Sequence, residues 1–128
     1  FARKNGMNCK TKEFNGSKRS SVQWNSSLYE AIRLHGIDMN LNNFFSHSGS
    51  DDSSSGDRAK RAGWTGGLVG ENLSGGADTI GEAVERLIVS TGHCNIMLRS
   101  NFNRVAMACQ EYSNYSLDTA WIMILGDQ

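Results

Sequence analysis

The sequence predicts an α+β fold, a layer sandwich of helices packed on a sheet, and three observations support it. Two amphipathic helical patterns flank a middle third rich in serine and glycine, and the last third holds two neighbouring segments with the apolar density of paired strands. Helices first and an antiparallel strand pair last stack into layers around one core.

The first helix is written in "NSSLYEAIRLHGIDM", residues 25–39. Asn or Ser opens it as N-cap, and Leu28, Ala31, Ile32, His35 and Met39 recur at spacings of three and four, the signature of one buried face. Gly36 costs the helix about 1 kcal/mol relative to alanine, which the apolar stripe outweighs. The segments "SHSGSDDSSSG" (46–56) and "GWTGGLVGENLSGG" (63–76) lack sustained periodicity and read as loops, with a third strand expected inside "WTGGLVGENLS". Proline is absent, so the turns rest on Gly, Asn, Ser and Asp. A second helix is predicted in "TIGEAVERLIVSTG", where Thr79 and Glu82 have capping-box spacing. Its buried stripe is Ile80, Val84, Leu87 and Ile88, and it stops near Gly92. "RVAMACQEY" then alternates Val105, Met107 and Cys109 with small residues, "TAWIMILG" is an apolar run of strand length, and "SNYSLD" connects them as a hairpin would.

Length and composition bound the rest. A chain of 128 residues buries about two thirds of its unfolded surface in one core, so a single domain over 1–128 is expected, without repeat or linker. With 38% hydrophobic and 20% charged residues, it falls outside the disordered, collagenous and membrane classes. Thirteen basic residues balance thirteen acidic ones, which leaves no electrostatic footprint for nucleic acid. Arg3, Lys4, Lys10, Lys12, Lys18 and Arg19 make the N-terminal end locally basic, and a solvated surface explains them better than a binding patch. The longest apolar run, Trp121 to Leu125, is too short to span a bilayer, so no transmembrane segment is expected. No signal peptide is present either, but a chain that begins at Phe1 reads as a trimmed fragment and leaves export open.

Few polar residues stand where chemistry could gather. Of the three histidines, His35 lies on the apolar stripe and reads as a core residue satisfied by hydrogen bonds. His47 and His93 sit at the ends of regular structure beside Gly/Ser-rich segments, where side chains can converge on a cleft. Glu71, in "GEN", is a carboxylate among glycines and apolar residues, where desolvation is costly without a partner. Two histidines and a glutamate are the ligand set of an open, water-bearing zinc site, although their separation matches no short metal motif. Cys94 beside His93 invites a nucleophile reading, which fails for want of any oxyanion donor. Asp51 and Asp52 in "SDDSS" lack calcium-loop spacing and read as a solvated turn. Three cysteines allow three pairings and leave one thiol over.

The ordered motifs "FFSH", "GENLSGG" and "STGHCNIM", with "R....GW" before the second, resemble the CAP superfamily from about Trp24 to Gly126. That family takes in cysteine-rich secretory proteins, insect venom antigen five and plant pathogenesis-related proteins, and this chain looks most like the bacterial, extracytoplasmic SCP-like branch. The resemblance implies an α-β-α sandwich with a central antiparallel sheet and a large cleft holding two histidines and two acidic residues. Matched position by position, these are His47, Glu71 and His93; the second acid does not carry over, because Leu87 stands at the family's helix tryptophan and Ser90 at its glutamate. His47, Glu71 and His93 are therefore expected to line one cleft. If zinc or another divalent metal binds, His47 and His93 would be its ligands, with Glu71 holding a water or orienting a histidine. The branch also implies a Cys9–Cys94 disulfide with Cys109 a buried free thiol; the rival pair is Cys94 with Cys109. Thr91 replaces the usual proline, and Asp52 stands where glycine is common.

For function, the resemblance implies a secreted or surface-exposed monomer that acts as a binding module for a lipid, sterol, glycan or protein. The alternative is a metal-assisted peptidase or esterase, with Glu71 as its candidate catalytic base. The missing acid favours the first.

Overall fold

A computed structural model describes residues 1–128. Helix α1 spans Ser26–Leu41, and the Asn25 side chain accepts from the Leu28 amide at its N-terminus, 3.0 Å. Leu28, Ala31, Ile32, His35 and Met39 are all buried, so the apolar stripe of the sequence is the packing face. Gly36 lies on that face because a Cβ there would stand 3.0 Å from the Gln110 side chain and 3.2 Å from Ile122. The helix approaches the sheet more closely than alanine comfortably allows, a packing reason that helix propensity does not contain.

Strands β1 (Gln23–Trp24), β2 (Val69–Gly75), β3 (Arg104–Glu111) and β4 (Thr119–Gly126) form one sheet in the order β1-β3-β4-β2. The β2–β4 and β3–β4 ladders are antiparallel, and only the two-residue β1 runs parallel to its neighbour. Leu73, Ala106, Ala120, Ile122 and Ile124 turn to one face and pack with α1. Met123, Leu125 and Phe102 turn to the other. β4 is buried on both faces, which explains why "WIMIL" reads as a continuous apolar run rather than an alternation.

Several sequence expectations need correction. The segment expected to be loop over 46–56 contributes the start of helix α2, Ser55–Arg61. Its N-terminus is a full capping box, with Ser54 and Asp57 exchanging side-chain to backbone hydrogen bonds, and Arg58, Lys60 and Arg61 in its last turn suit the helix dipole. The helix expected to run to Gly92 is instead two: α3 (Ile80–Val89) and α4 (Thr91–Met97), parted at Ser90, whose φ of −78° and ψ of 120° are extended. The break needs no proline. Thr79 caps α3 as expected, but the Glu82 carboxylate accepts from the Asp78 amide, so the box is only half formed. Ile80 is 56% exposed, and the buried line of α3 passes through Ala83 and Leu87, because the helix rests on the sheet along a narrow strip.

The second face of the sheet is covered by α3, α4 and the N-terminal segment. Cys9 and Cys94 are joined by a disulfide, with Cα atoms 5.6 Å apart across 85 residues of sequence. Closing a loop of that length restricts the unfolded chain by an amount worth about 4–5 kcal/mol as an upper figure. Cys109 is free and exposed, not buried. Val105 and Met107 on the same strand face meet the Leu87 cluster, which ends before Cys109 is reached.

Candidate functional site

The expected site residues are built around β2, an edge strand. Backbone alternation turns consecutive residues to opposite faces, so Glu71 and Asn72 diverge. Glu71 faces α2, and its side chain is only 2% exposed. A carboxylate this deep requires charge and hydrogen bonds in place of water, and both oxygens have them. Oε1 accepts from His47 Nδ1 at 2.9 Å and Oε2 from Arg58 Nη2 at 2.9 Å.

Arg58 is the residue that sequence reasoning left without a role. Its guanidinium, itself buried, also donates to the carbonyls of Ser53, 2.7 Å, and His47, 2.9 Å. One side chain thus neutralises Glu71 and fastens the loop that bears His47. The sequence did hold a signal: Arg58 is the arginine of "R....GW", and a buried acid at Glu71 demands a cation from somewhere. Trp64 of the same motif is buried against two glycines, since a Cβ on Gly66 or Gly126 would fall 2.2 or 2.6 Å from its ring.

The bond to Glu71 fixes the state of His47. A carboxylate can only accept, so Nδ1 bears the proton and Nε2 is left for solvent or a ligand. The His47 side chain is 60% exposed. The hydrogen bond to Glu71 raises its pKa above the ordinary histidine value, against burial and the nearby Arg58 charge, which lower it. His35 behaves oppositely. It is buried, Nε2 donates to the Ser46 carbonyl at 2.8 Å, Nδ1 has no partner, and burial depresses its pKa.

His93 lies in the first turn of α4, half-buried. Its carbonyl accepts from Asn72 Nδ2 at 3.1 Å, which anchors α4 to the residue next to Glu71. The two histidines are thus tied to consecutive residues of one edge strand, His47 through its ring and His93 through its backbone. No hydrogen bond joins the His93 ring to His47 or Glu71. Ser90, at the position of the family's second acid, is the hinge between α3 and α4 and supplies no carboxylate.

This donor set does not fit a resident catalytic zinc. Such a site takes three protein ligands and one open position, whereas Glu71 serves here as the buried partner that orients His47 and pairs with Arg58, which leaves two histidines, one ligand short. No group of three or more His, Cys, Asp or Glu side chains converges anywhere in the molecule. Two cavities of about 580 and 540 Å³ flank the sheet layers. The first is polar, between α1 and α2, with His35 and Arg58 in its wall; the second is apolar, on the α3 side. Neither is lined by His47, Glu71 or His93.

Comparison with known proteins places this geometry. The family model described as CAP, the cysteine-rich secretory protein family, matches residues 15–125. An extracellular protein containing an SCP domain from Bacillus anthracis is similar in structure, with a TM-score of 0.75 and 22% identity over 86% of this chain and 35% of that one. This chain therefore spans about a third of that protein's length. An outer surface protein from Borrelia burgdorferi also has a TM-score of 0.75, at 12% identity over 86% of this chain and 80% of its own. At these identities the likeness is one of fold. No curated protein sequence matches the chain.

Proposed function

The chain belongs to the cysteine-rich secretory protein (CAP) family, and from that premise we propose that it acts outside the cytoplasm as a binding module rather than as a hydrolase. The extracytoplasmic setting is supported by the Cys9–Cys94 disulfide, a bond that persists in oxidising compartments. Both similar structures are described as extracellular or outer-surface proteins. No helix is long and apolar enough to cross a membrane.

The observation that supports binding over catalysis is the inward commitment of Glu71. A general base must reach a proton on water or substrate, and the Glu71 carboxylate, its side chain only 2% exposed, is turned inward to His47 and Arg58. Turning it toward a substrate would break its buried pair with Arg58. What the arrangement offers instead is an oriented His47 ring, its Nε2 exposed and its charge stabilised by Glu71, as a fixed polar contact for a ligand at the β2 edge.

The test is hydrolysis of a nitrophenyl ester and of an unstructured peptide, with and without added zinc. The expected outcome is no turnover above buffer, identical in the wild type and in His47→Ala and Glu71→Gln. Zinc-dependent turnover abolished by both substitutions would restore the hydrolase reading.

A further inference from the structure

The outer edge of β3 is open over a short run. In an antiparallel ladder alternate residues turn their backbone groups to the neighbouring strand and the others turn them away. The Tyr112 N–H donates to the Asp118 carbonyl at 2.9 Å, which assigns the even-numbered residues of β3 to β4. The odd-numbered ones face outward, and β1 takes the first of these: the Gln23 and Asn25 amides donate to the carbonyls of Asn103 and Val105 at 2.9 and 3.1 Å. There β1 stops. The N–H and C=O groups of Met107 and Cys109 meet no partner in the chain. The Glu111 carbonyl takes only the Gln110 side-chain amide, at 2.8 Å, which leaves it a lone pair.

Nothing blunts this edge. Exposed strand edges are ordinarily protected by lysine, proline, a bulge or a covering element. Residues 107–110, "MACQ", hold no charge and no proline, and the β3–β4 register runs without a bulge from Arg104 to Glu111. α1 rests over the β3–β4 seam, where a Cβ on Gly36 would meet Gln110 and Ile122 alike. On the opposite face the Leu87 cluster ends before Cys109, which is exposed. A strand added here would continue the row that β1 begins.

The open run is symmetric about Cys109. Its outward residues are Met107, Cys109 and Glu111, and one antiparallel register pairs all of them with the same run on a second copy. In that register Cys109 faces its own counterpart and Met107 faces Glu111. The only charge in the run, Glu111, is thereby kept away from its like. We propose that this edge pairs with the same edge of a second copy, the two chains forming a two-fold dimer through one continuous sheet. The dimer replaces the monomer implied by the family resemblance, and it goes beyond the binding-module reading without depending on it.

The pairing also gives the free thiol a partner. Opposed residues of a hydrogen-bonded antiparallel pair have Cα atoms about 5.5 Å apart, within the roughly 4.4–6.8 Å that a disulfide spans. A small-molecule disulfide such as oxidised glutathione can then link the two chains. One Cys109 thiolate attacks it and releases one glutathione, and the second Cys109 thiolate attacks the mixed disulfide and releases the other. The glutathione S–S bond breaks, the Cys109–Cys109 bond forms, and the two cysteine protons end on the glutathione thiols.

The experiment is analytical sedimentation of the Cys109→Ser chain, which keeps the backbone pairing and removes the thiol. A reversible dimer is expected. Cys109→Lys, at the same exposed position, sets like charges opposite each other and should raise the dimer dissociation constant about fivefold or more over that of Cys109→Ser. Circular dichroism and thermal melts establish that both variants fold. The wild type, incubated with oxidised glutathione, should accumulate a dimer whose peptides carry the Cys109–Cys109 bond. A Cys109→Ser chain that stays monomeric at millimolar concentration overturns the proposal, as does a folded Cys109→Lys chain that dimerises equally well. A wild type that stops at glutathione-capped monomer overturns the register and the proposal with it. The ester and peptide assays judge the binding-module reading independently of all three results.

Discussion

Glu71 holds together parts of the chain that are far apart in sequence. Its carboxylate has exchanged water for two nitrogen donors, and Arg58, which supplies one of them, is buried as well. Removing one member of a buried pair leaves the other uncompensated. Glu71→Ala is therefore expected to cost about 3 kcal/mol or more in denaturant unfolding. His47→Ala, which removes a largely exposed partner, should cost less than about 1 kcal/mol. Equal effects would show that the buried ion pair is not what stabilises this corner. The pH dependence separates the two histidines further. His47 has a raised pKa, so the stability it contributes is fully present below the unfolded-state pKa of about 6.5 and is lost as pH rises through the higher folded value. His35 has a depressed pKa, so folding stability held above about 6.5 is lost as pH falls toward its lower folded value. Unfolding free energies measured from about pH 5 to 9, a range that brackets both titrations, should lose their alkaline slope in His47→Ala and keep the acid one. At this scale the sequence was legible in part. Glu71 announced itself by its apolar surroundings, whereas Arg58 required knowing which face of α2 meets β2.

The elements were most legible where periodicity was long. All five stripe positions of α1 are buried because a 16-residue helix repeats its pattern often enough to be read. Short elements escaped. α2 has seven residues, fewer than two apolar repeats, and its start was announced only by Ser54 and Asp57 at capping-box spacing inside a serine-rich run. That box predicts its own test: Ser54→Ala should destabilise the protein by about 1 kcal/mol, read from the denaturation midpoint, and because α2 positions Arg58 the same substitution should shift the His47 titration. A midpoint and titration both unchanged would mean that α2 is held by Arg58 and Ala59 alone. β1 has two residues and no pattern to detect. The α3–α4 break escaped for another reason. Local preference continues the helix through Ser90 and Thr91, and the tertiary demands of the Cys9–Cys94 bond and of Asn72 on the His93 carbonyl override it.

The molecule as a whole is a sandwich with unlike faces. α1 and α2 cover one side of the sheet and enclose the larger, mostly aliphatic cluster that includes Trp64. The other side has the smaller cluster, the disulfide and a roof that secondary structure does not supply. This asymmetry puts the Glu71 network and the apolar cavity on different sides of one β-sheet. The resemblance carried by "FFSH", "GENLSGG" and "STGHCNIM" made the fold legible as a whole; the N-terminal roof, outside that resemblance, was not.

The central claim is that His47, Glu71 and His93 form a structural and ligand-facing edge rather than a metal centre. Calorimetric titration of zinc into the metal-stripped protein tests it most directly, with His47→Ala and His93→Ala alongside. A site with only two histidines free to ligate, one short of a catalytic zinc site, is expected to show no saturable binding, unchanged by either substitution. Micromolar binding lost in both variants would contradict the claim, because the two rings would then have to share a metal with a ligand that the present geometry does not supply.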